Sequence, residues 1–123
     1  MASGASRQFF PEFAQVAAAR HYAIGAAQGW GVEPGDLELV VGELATNAVL
    51  HGRTPFTLSL HKTDNWVVIE VADGNPRLPL MAQDVSTSAL SGRGLTIVDR
   101  LARHWGARAT AHGKVVWAEF DCS

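Results

Sequence analysis

The chain has 123 residues, the size of one ordinary domain, and is 47% hydrophobic and 18% charged. These proportions suit a buried core and exclude a disordered chain. A net charge of -2 and a pI near 6.2 give no bulk basic excess, so direct binding to nucleic acid through phosphate neutralisation is not expected.

Residues 1–8 are small and polar and are expected to form a disordered N-terminal tail, leaving 9–123 as the domain. A first helix is predicted from Pro11 to about Gly29, with Phe13, Val16, Ala17, Tyr22, Ile24 and Ala27 as its apolar positions and Gly29 as its stop. A second helix is predicted from Pro34 to His51. Pro34 fits its first position, Asp36 and Glu38 suit its positive end, and Gly52 suits a left-handed terminating residue. Its apolar stripe is Leu37, Val40, Val41, Leu44 and Ala48, whereas Glu43, Asn47 and His51 follow one another along a different face.

Two strands follow, Phe56–His61 and Trp66–Ala72, joined as a hairpin by Thr63-Asp64-Asn65. The stretch from Asp73 to Ser91 has no periodicity and carries Pro76, Pro79 and the Ser86-Thr87-Ser88 cluster; connections of that length tend to be functional. A third helix is predicted from Arg93 to Trp105, stopped by Gly106, and then strands Arg108–His112 and Val115–Phe120 around a Gly113-Lys114 turn. Hairpins in place of alternating strand–helix units predict an α+β two-layer sandwich, mostly antiparallel, with its helices on one face. Trp30, Trp66, Trp105 and Trp117 lie on or beside apolar segments and are expected in the core.

No apolar run reaches the roughly 18 residues of a membrane span, and residues 1–10 lack the apolar stretch of a secretion signal. One cysteine, Cys122, can form no internal disulfide and no thiolate pair for zinc; it reads as part of a frayed end. A cytoplasmic protein with no membrane contact is expected.

Three elements could carry chemistry. Asn47 offers a hard neutral oxygen suited to Mg²⁺, an ion that takes most of its other ligands from water and phosphates. Glu43, one turn earlier, could accept a proton from an attacking hydroxyl. Asp73 ends an apolar strand, where a carboxylate can accept from an amino group such as that of adenine. Gly92-Arg93-Gly94 is expected to open a helix, with free N–H groups and a guanidinium for phosphates. Each element alone has an ordinary explanation, as a solvated helix face, a turn or a loop-to-helix joint. No Walker loop, Rossmann fingerprint or Gly-x-Ser-x-Gly elbow is present.

Taken in order, Glu43-Leu44-Ala45-Thr46-Asn47-Ala48, Asp73 after a strand, and Gly92-Arg93-Gly94-Leu95 resemble the N-box, G1 and G2 elements of the GHKL ATPase superfamily (gyrase, histidine kinase, MutL). The likeness runs from about Pro11 to Phe120. Thr46-Asn47-Ala48-x-x-His51-Gly52 is most similar to the small anti-sigma factor serine kinases. That resemblance implies a Bergerat fold binding ATP and Mg²⁺, with Asn47 on the metal, Glu43 as catalytic base, Asp73 on adenine, and Gly92, Arg93 and Gly94 near the phosphates. It implies a nucleotide lid over 77–91, and as partners a STAS-domain anti-anti-sigma protein, phosphorylated on serine or threonine, and a sigma factor held in check. Dimerisation is common among such kinases.

The alternative is a regulator that uses nucleotide occupancy only to set its shape. It is motivated by one departure: the superfamily G1 pattern Asp-x-Gly-x-Gly reads here Asp73-Gly74-Asn75-Pro76-Arg77. Pro76 fixes its own φ and has no N–H, so the loop under the adenine is expected to take another shape. Thr46 and His51 lie beside the site without an assigned step.

Overall fold

The computed structural model describes residues 3–78 and 89–122, those from 89 to 94 by their backbone alone. Strand β1 (Ser3–Phe9) leads into helices α1 (Phe13–Ala26) and α2 (Pro34–Asn47), and a π-helical turn, Ala48–Gly52, extends α2. Strands β2 (Phe56–Lys62) and β3 (Trp66–Asp73), helix α3 (Ala89–Leu101), and strands β4 (His104–Ala109) and β5 (Lys114–Asp121) complete the chain. The sheet order is β1-β2-β3-β5-β4, and every neighbouring pair is antiparallel. The helices pack on one face of this sheet, which is the expected α+β two-layer sandwich.

Alternation decides which face each strand side chain takes. Phe56, Leu58 and Leu60 of β2, Val67, Ile69 and Val71 of β3, and Val116, Ala118 and Phe120 of β5 are all buried. They meet the α2 stripe of Leu37, Val40, Val41, Leu44 and Ala48, each no more than 2% exposed. Helix α2 begins as its sequence dictates: Pro34 occupies its first turn, and the Glu33 side chain accepts the Gly35 N–H at 2.7 Å. Helix α1 packs on the same core through Val16, Ala19 and Ala23. Its small residues allow close approach. The expected apolar positions Phe13 and Ala17 face outward instead, Phe13 being 61% exposed.

Several local expectations are corrected. The tail expected over 1–8 is strand from Ser3 onward, paired with β2 through the whole of Phe56–Lys62. Its side chains carry no alternation because only Phe9 is buried; backbone pairing and the stack of Phe9 on Phe56, centroids 5.5 Å apart, hold it. Helix α3 ends at Leu101, four residues before the expected Trp105, because Arg103 N–H donates to Glu119 O at 2.7 Å and draws the chain into the sheet.

Gly106 therefore stops no helix. It lies in β4 under the Trp117 indole, whose Cζ2 would be 2.8 Å from any Cβ at that position. None of the four tryptophans is fully buried: Trp66 supports the Arg103 guanidinium at 4.3 Å, and the Trp105 indole N–H donates to Asp99. Their amphipathic rings sit at the core margin. Cys122 is tied down by its N–H to Asn65 O at 3.0 Å, so no frayed end begins there. The left-handed residue after α2 is Arg53, with φ 56°, and not Gly52; the π turn shifts the helix end by one residue.

The β4–β5 turn packs against the end of β3. A Cβ at Gly113 would overlap the Asp73 carbonyl oxygen and stand 2.7 Å from Gly74 Cα. Gly113→Ala is expected to cost about 3 kcal/mol of stability, seen as a lower urea midpoint at unchanged slope.

Candidate functional site

The alternation that buries Val67, Ile69 and Val71 continues to Asp73 and turns its carboxylate toward the helices. A carboxylate on a core face requires partners, and two residues supply them. Lys114 stands directly across the strand pair from Asp73, and its ammonium donates to Asp73 Oδ1 at 2.9 Å. The Asp73 and Lys114 side chains are 2% and 5% exposed, respectively, so this is a buried ion pair. The Asn75 N–H donates to the same oxygen at 2.9 Å. Against the other oxygen lies Gly52, where a Cβ would come within 2.8 Å of Oδ2.

The loop after Asp73 is shaped by side-chain hydrogen bonds to its backbone. Gly74 N–H donates to Thr54 Oγ1 at 2.7 Å, and Arg77 N–H to Asn75 Oδ1 at 3.0 Å. Asn75 Nδ2 donates to His51 O at 2.9 Å, and Lys114 also donates to Asn75 O at 3.1 Å. One Asx-type bond thus spans Gly74 and a second spans Pro76, which has no N–H to offer. The network ties the end of β3 to the π turn that follows Asn47, and π turns recur at functional positions.

Asn47 lies on the buried side of α2, 9% exposed, and its enclosed amide Nδ2 has no hydrogen-bond partner among the described residues. A buried amide normally has one, so its vacancy marks a place where a ligand could engage it. A half-turn of the amide presents the oxygen to the same space. Glu43, one helical turn earlier, is half-buried, and burial raises its carboxyl above the ordinary range, with the Arg20 guanidinium acting in the opposite sense. Arg20 reaches this position because Gly42 has no side chain: a Cβ there would lie 3.2 Å from Arg20 Nη1. Arg20 also approaches Glu38 at 4.0 Å. Arg20, Glu38 and Glu43 line a cleft of about 390 Å³ between α1 and α2, together with Leu39 and Thr46.

The structure thus brings Asn47 and Asp73 to one region, with Glu43 a turn away on the same helix. Gly92, Arg93 and Gly94 do not open a helix as expected; α3 starts at Ala89, so they fall inside it. A helix leaves only about its first four N–H groups unpaired, which puts the N–H groups of Arg93 and Gly94 past the free turn. The lid expected over 77–91 falls largely outside the described residues. Among those described, no three His, Cys, Asp or Glu side chains group as metal ligands, and no helix is long and apolar enough to cross a membrane.

Sequence reasoning missed Lys114, Arg20, Asn75 and Thr54. Two signals could have found the first two. Stepping back by twos from Phe120 through Ala118 and Val116 puts Lys114 on the core face, where a lysine must be paired. A glycine in mid-helix, Gly42, costs about 1 kcal/mol and calls for a packing reason, here the Arg20 stem.

The model of one family, described as the histidine kinase-like ATPase domain, matches residues 9–120. No curated protein gives a significant match.

Proposed function

The chain belongs to the histidine kinase-like ATPase domain family, and from that premise we propose that it is an ATP-dependent regulator that phosphorylates a protein hydroxyl. In this reading it transfers the γ-phosphoryl group of ATP to a serine or threonine of a STAS-domain anti-anti-sigma protein, and it holds a sigma factor when the unphosphorylated antagonist is scarce. The observation that carries it is the pair on α2: Glu43, with a carboxyl raised by burial, one turn before Asn47, whose buried amide Nδ2 has no partner among the described residues.

The roles follow from the residues. In this reading Asp73 receives the base, and Arg93 supplies a charged donor for the phosphates. Asn47 suits a Mg²⁺ ion held chiefly by phosphates and water, which needs few protein ligands and would neutralise phosphate charge. The acceptor hydroxyl oxygen forms a bond to the γ-phosphorus, the bond to the β–γ bridging oxygen breaks, and ADP leaves. Glu43 takes the hydroxyl proton, and its raised carboxyl suits a base that must hold that proton. The cleft beside Glu43 offers the acceptor segment a route to it.

Incubation with labelled ATP, Mg²⁺ and a panel of STAS-domain proteins is expected to label one of them. ATP binding without transfer to any partner, and partner control unchanged in Glu43→Ala, would instead support the second reading. That reading is a non-catalytic, nucleotide-dependent protein-binding regulator. It is favoured by the engagement of Asp73 Oδ1 by Lys114 and by the rebuilt loop at Pro76.

A further inference from the structure

Residues 51–54 and 73–75 are seamed together side by side. Asn75 Nδ2 donates to His51 O at 2.9 Å, and Gly74 N–H donates to Thr54 Oγ1 at 2.7 Å. Between these two bonds Gly52 packs directly on the Asp73 carboxyl, where a Cβ would stand 2.8 Å from both Cγ and Oδ2. The first segment runs on from Asn47 through the π turn, and the second begins at Asp73. One seam therefore joins the two residues that the reading above puts on the metal and on the base.

The helix end needs that seam. Its π turn is closed by Arg53 N–H on Ala48 O at 3.0 Å, and Arg53 then holds φ at 56°. Both the wide turn and a left-handed residue other than glycine are less favourable than regular helix, and they persist where neighbours hold them. His51 O belongs to the last carbonyls of the helix, which have no helical N–H to accept from; the Asn75 amide supplies the missing donor. Asp73, by contrast, needs nothing from the Asn75 side chain. Its donors are the Asn75 backbone N–H and Lys114, and Lys114 also reaches the Asn75 backbone carbonyl. Loss of the Asn75 amide thus frees the helix end and leaves the Asp73 carboxylate paired.

We propose that Asn75 is a positioning residue for the metal–phosphate end of the nucleotide, acting on Asn47 through His51 and the π turn. This rests on the nucleotide-binding reading above, with Asn47 toward Mg²⁺.

The test is calorimetry of the full chain with ATP, in Mg²⁺ and in a chelator. Mg²⁺ is expected to tighten ATP binding to the wild type by about tenfold or more. Asn75→Ala is expected to lose most of that gain, a fall of about tenfold, as when outer support for a metal ligand is removed. Thr54→Val cuts the other bond of the seam and is expected to weaken ATP to the same degree with and without Mg²⁺. An equal fall in the gain for both variants means general loosening and overturns the proposal, as does a gain that survives in Asn75→Ala. A second arm uses the nucleotide-free chain: the Asn47 side-chain amide resonance is expected to shift in Asn75→Ala more than in Thr54→Val. An Asn47 resonance unmoved by Asn75→Ala overturns the link through the π turn. Absence of ATP binding by the wild type overturns the nucleotide-binding reading and the proposal together, which is distinct from a Mg²⁺ gain that ignores Asn75.

Discussion

Asp73→Ala is expected to destabilise the fold by about 3–5 kcal/mol, because it strands the Lys114 ammonium in the protein interior. In a domain of this size that loss corresponds to a fall of about 10–20 °C in Tm. The same substitution removes the acceptor for Asn75 N–H, so the loop that Asn75 ties to His51 loosens as well. Removing both charges tells a different story. A buried ion pair exchanged for apolar groups of similar size is often neutral in stability, so Asp73→Leu combined with Lys114→Met is expected to recover most of the loss. Urea unfolding of the wild type, both single variants and the double variant forms a cycle that isolates the pair. Additive losses would show that the two side chains do not depend on one another. ATP binding is expected to be lost in Asp73→Ala and in the double variant alike, which separates the stabilising role of the pair from its role toward a base.

Glu43→Gln is expected to act in the opposite way, on chemistry and not on the fold. Loss of a general base costs about 10² to 10⁴ in rate, so transfer to a STAS-domain acceptor should fall by that factor while ATP affinity stays within about threefold. Burial favours the neutral carboxyl, and Arg20 partly counters it. The transfer rate should therefore climb with pH through a value above the ordinary carboxylate range, since the base form is the ionised one. Arg20→Met removes the opposing influence and should push that limb to still higher pH. For stability the sign is reversed: a carboxyl raised in the folded state contributes most below its unfolded value and loses that contribution as pH rises through the folded one. At neutral pH Glu43→Gln should therefore be no less stable than wild type, the usual signature of a residue kept for function. Unchanged transfer in Glu43→Gln would remove Glu43 from the reaction.

The parts of this molecule that were legible in its sequence are those where one local rule dominates. The α2 stripe from Leu37 to Ala48, the alternation in β2 and Val67, Ile69 and Val71 of β3 each point one way, and these apolar side chains are buried. Glu43 and Asn47 could be placed together because helical spacing alone brings them to one side. Asp73 could be found because it breaks an apolar run at a strand end.

The rest depended on contacts between distant segments. β1 has almost no side-chain signal, since β2 holds it through the backbone. Gly106 looks like a helix stop until the Trp117 ring is seen to lie on it. Lys114 looks like half of a turn, because its reason for being buried, Asp73, lies 41 residues earlier. The start of α3 was misplaced because Gly92 and Gly94 are poor helix formers, yet the helix runs through both.

Strands β3 and β5 hold each other from Trp66 opposite Asp121 to Asp73 opposite Lys114, although α3 and β4 lie between them in the chain. The ladder alone therefore sets Asp73 opposite Lys114, so a slip of two residues in the β3–β5 register would part the two charges while leaving the same faces buried.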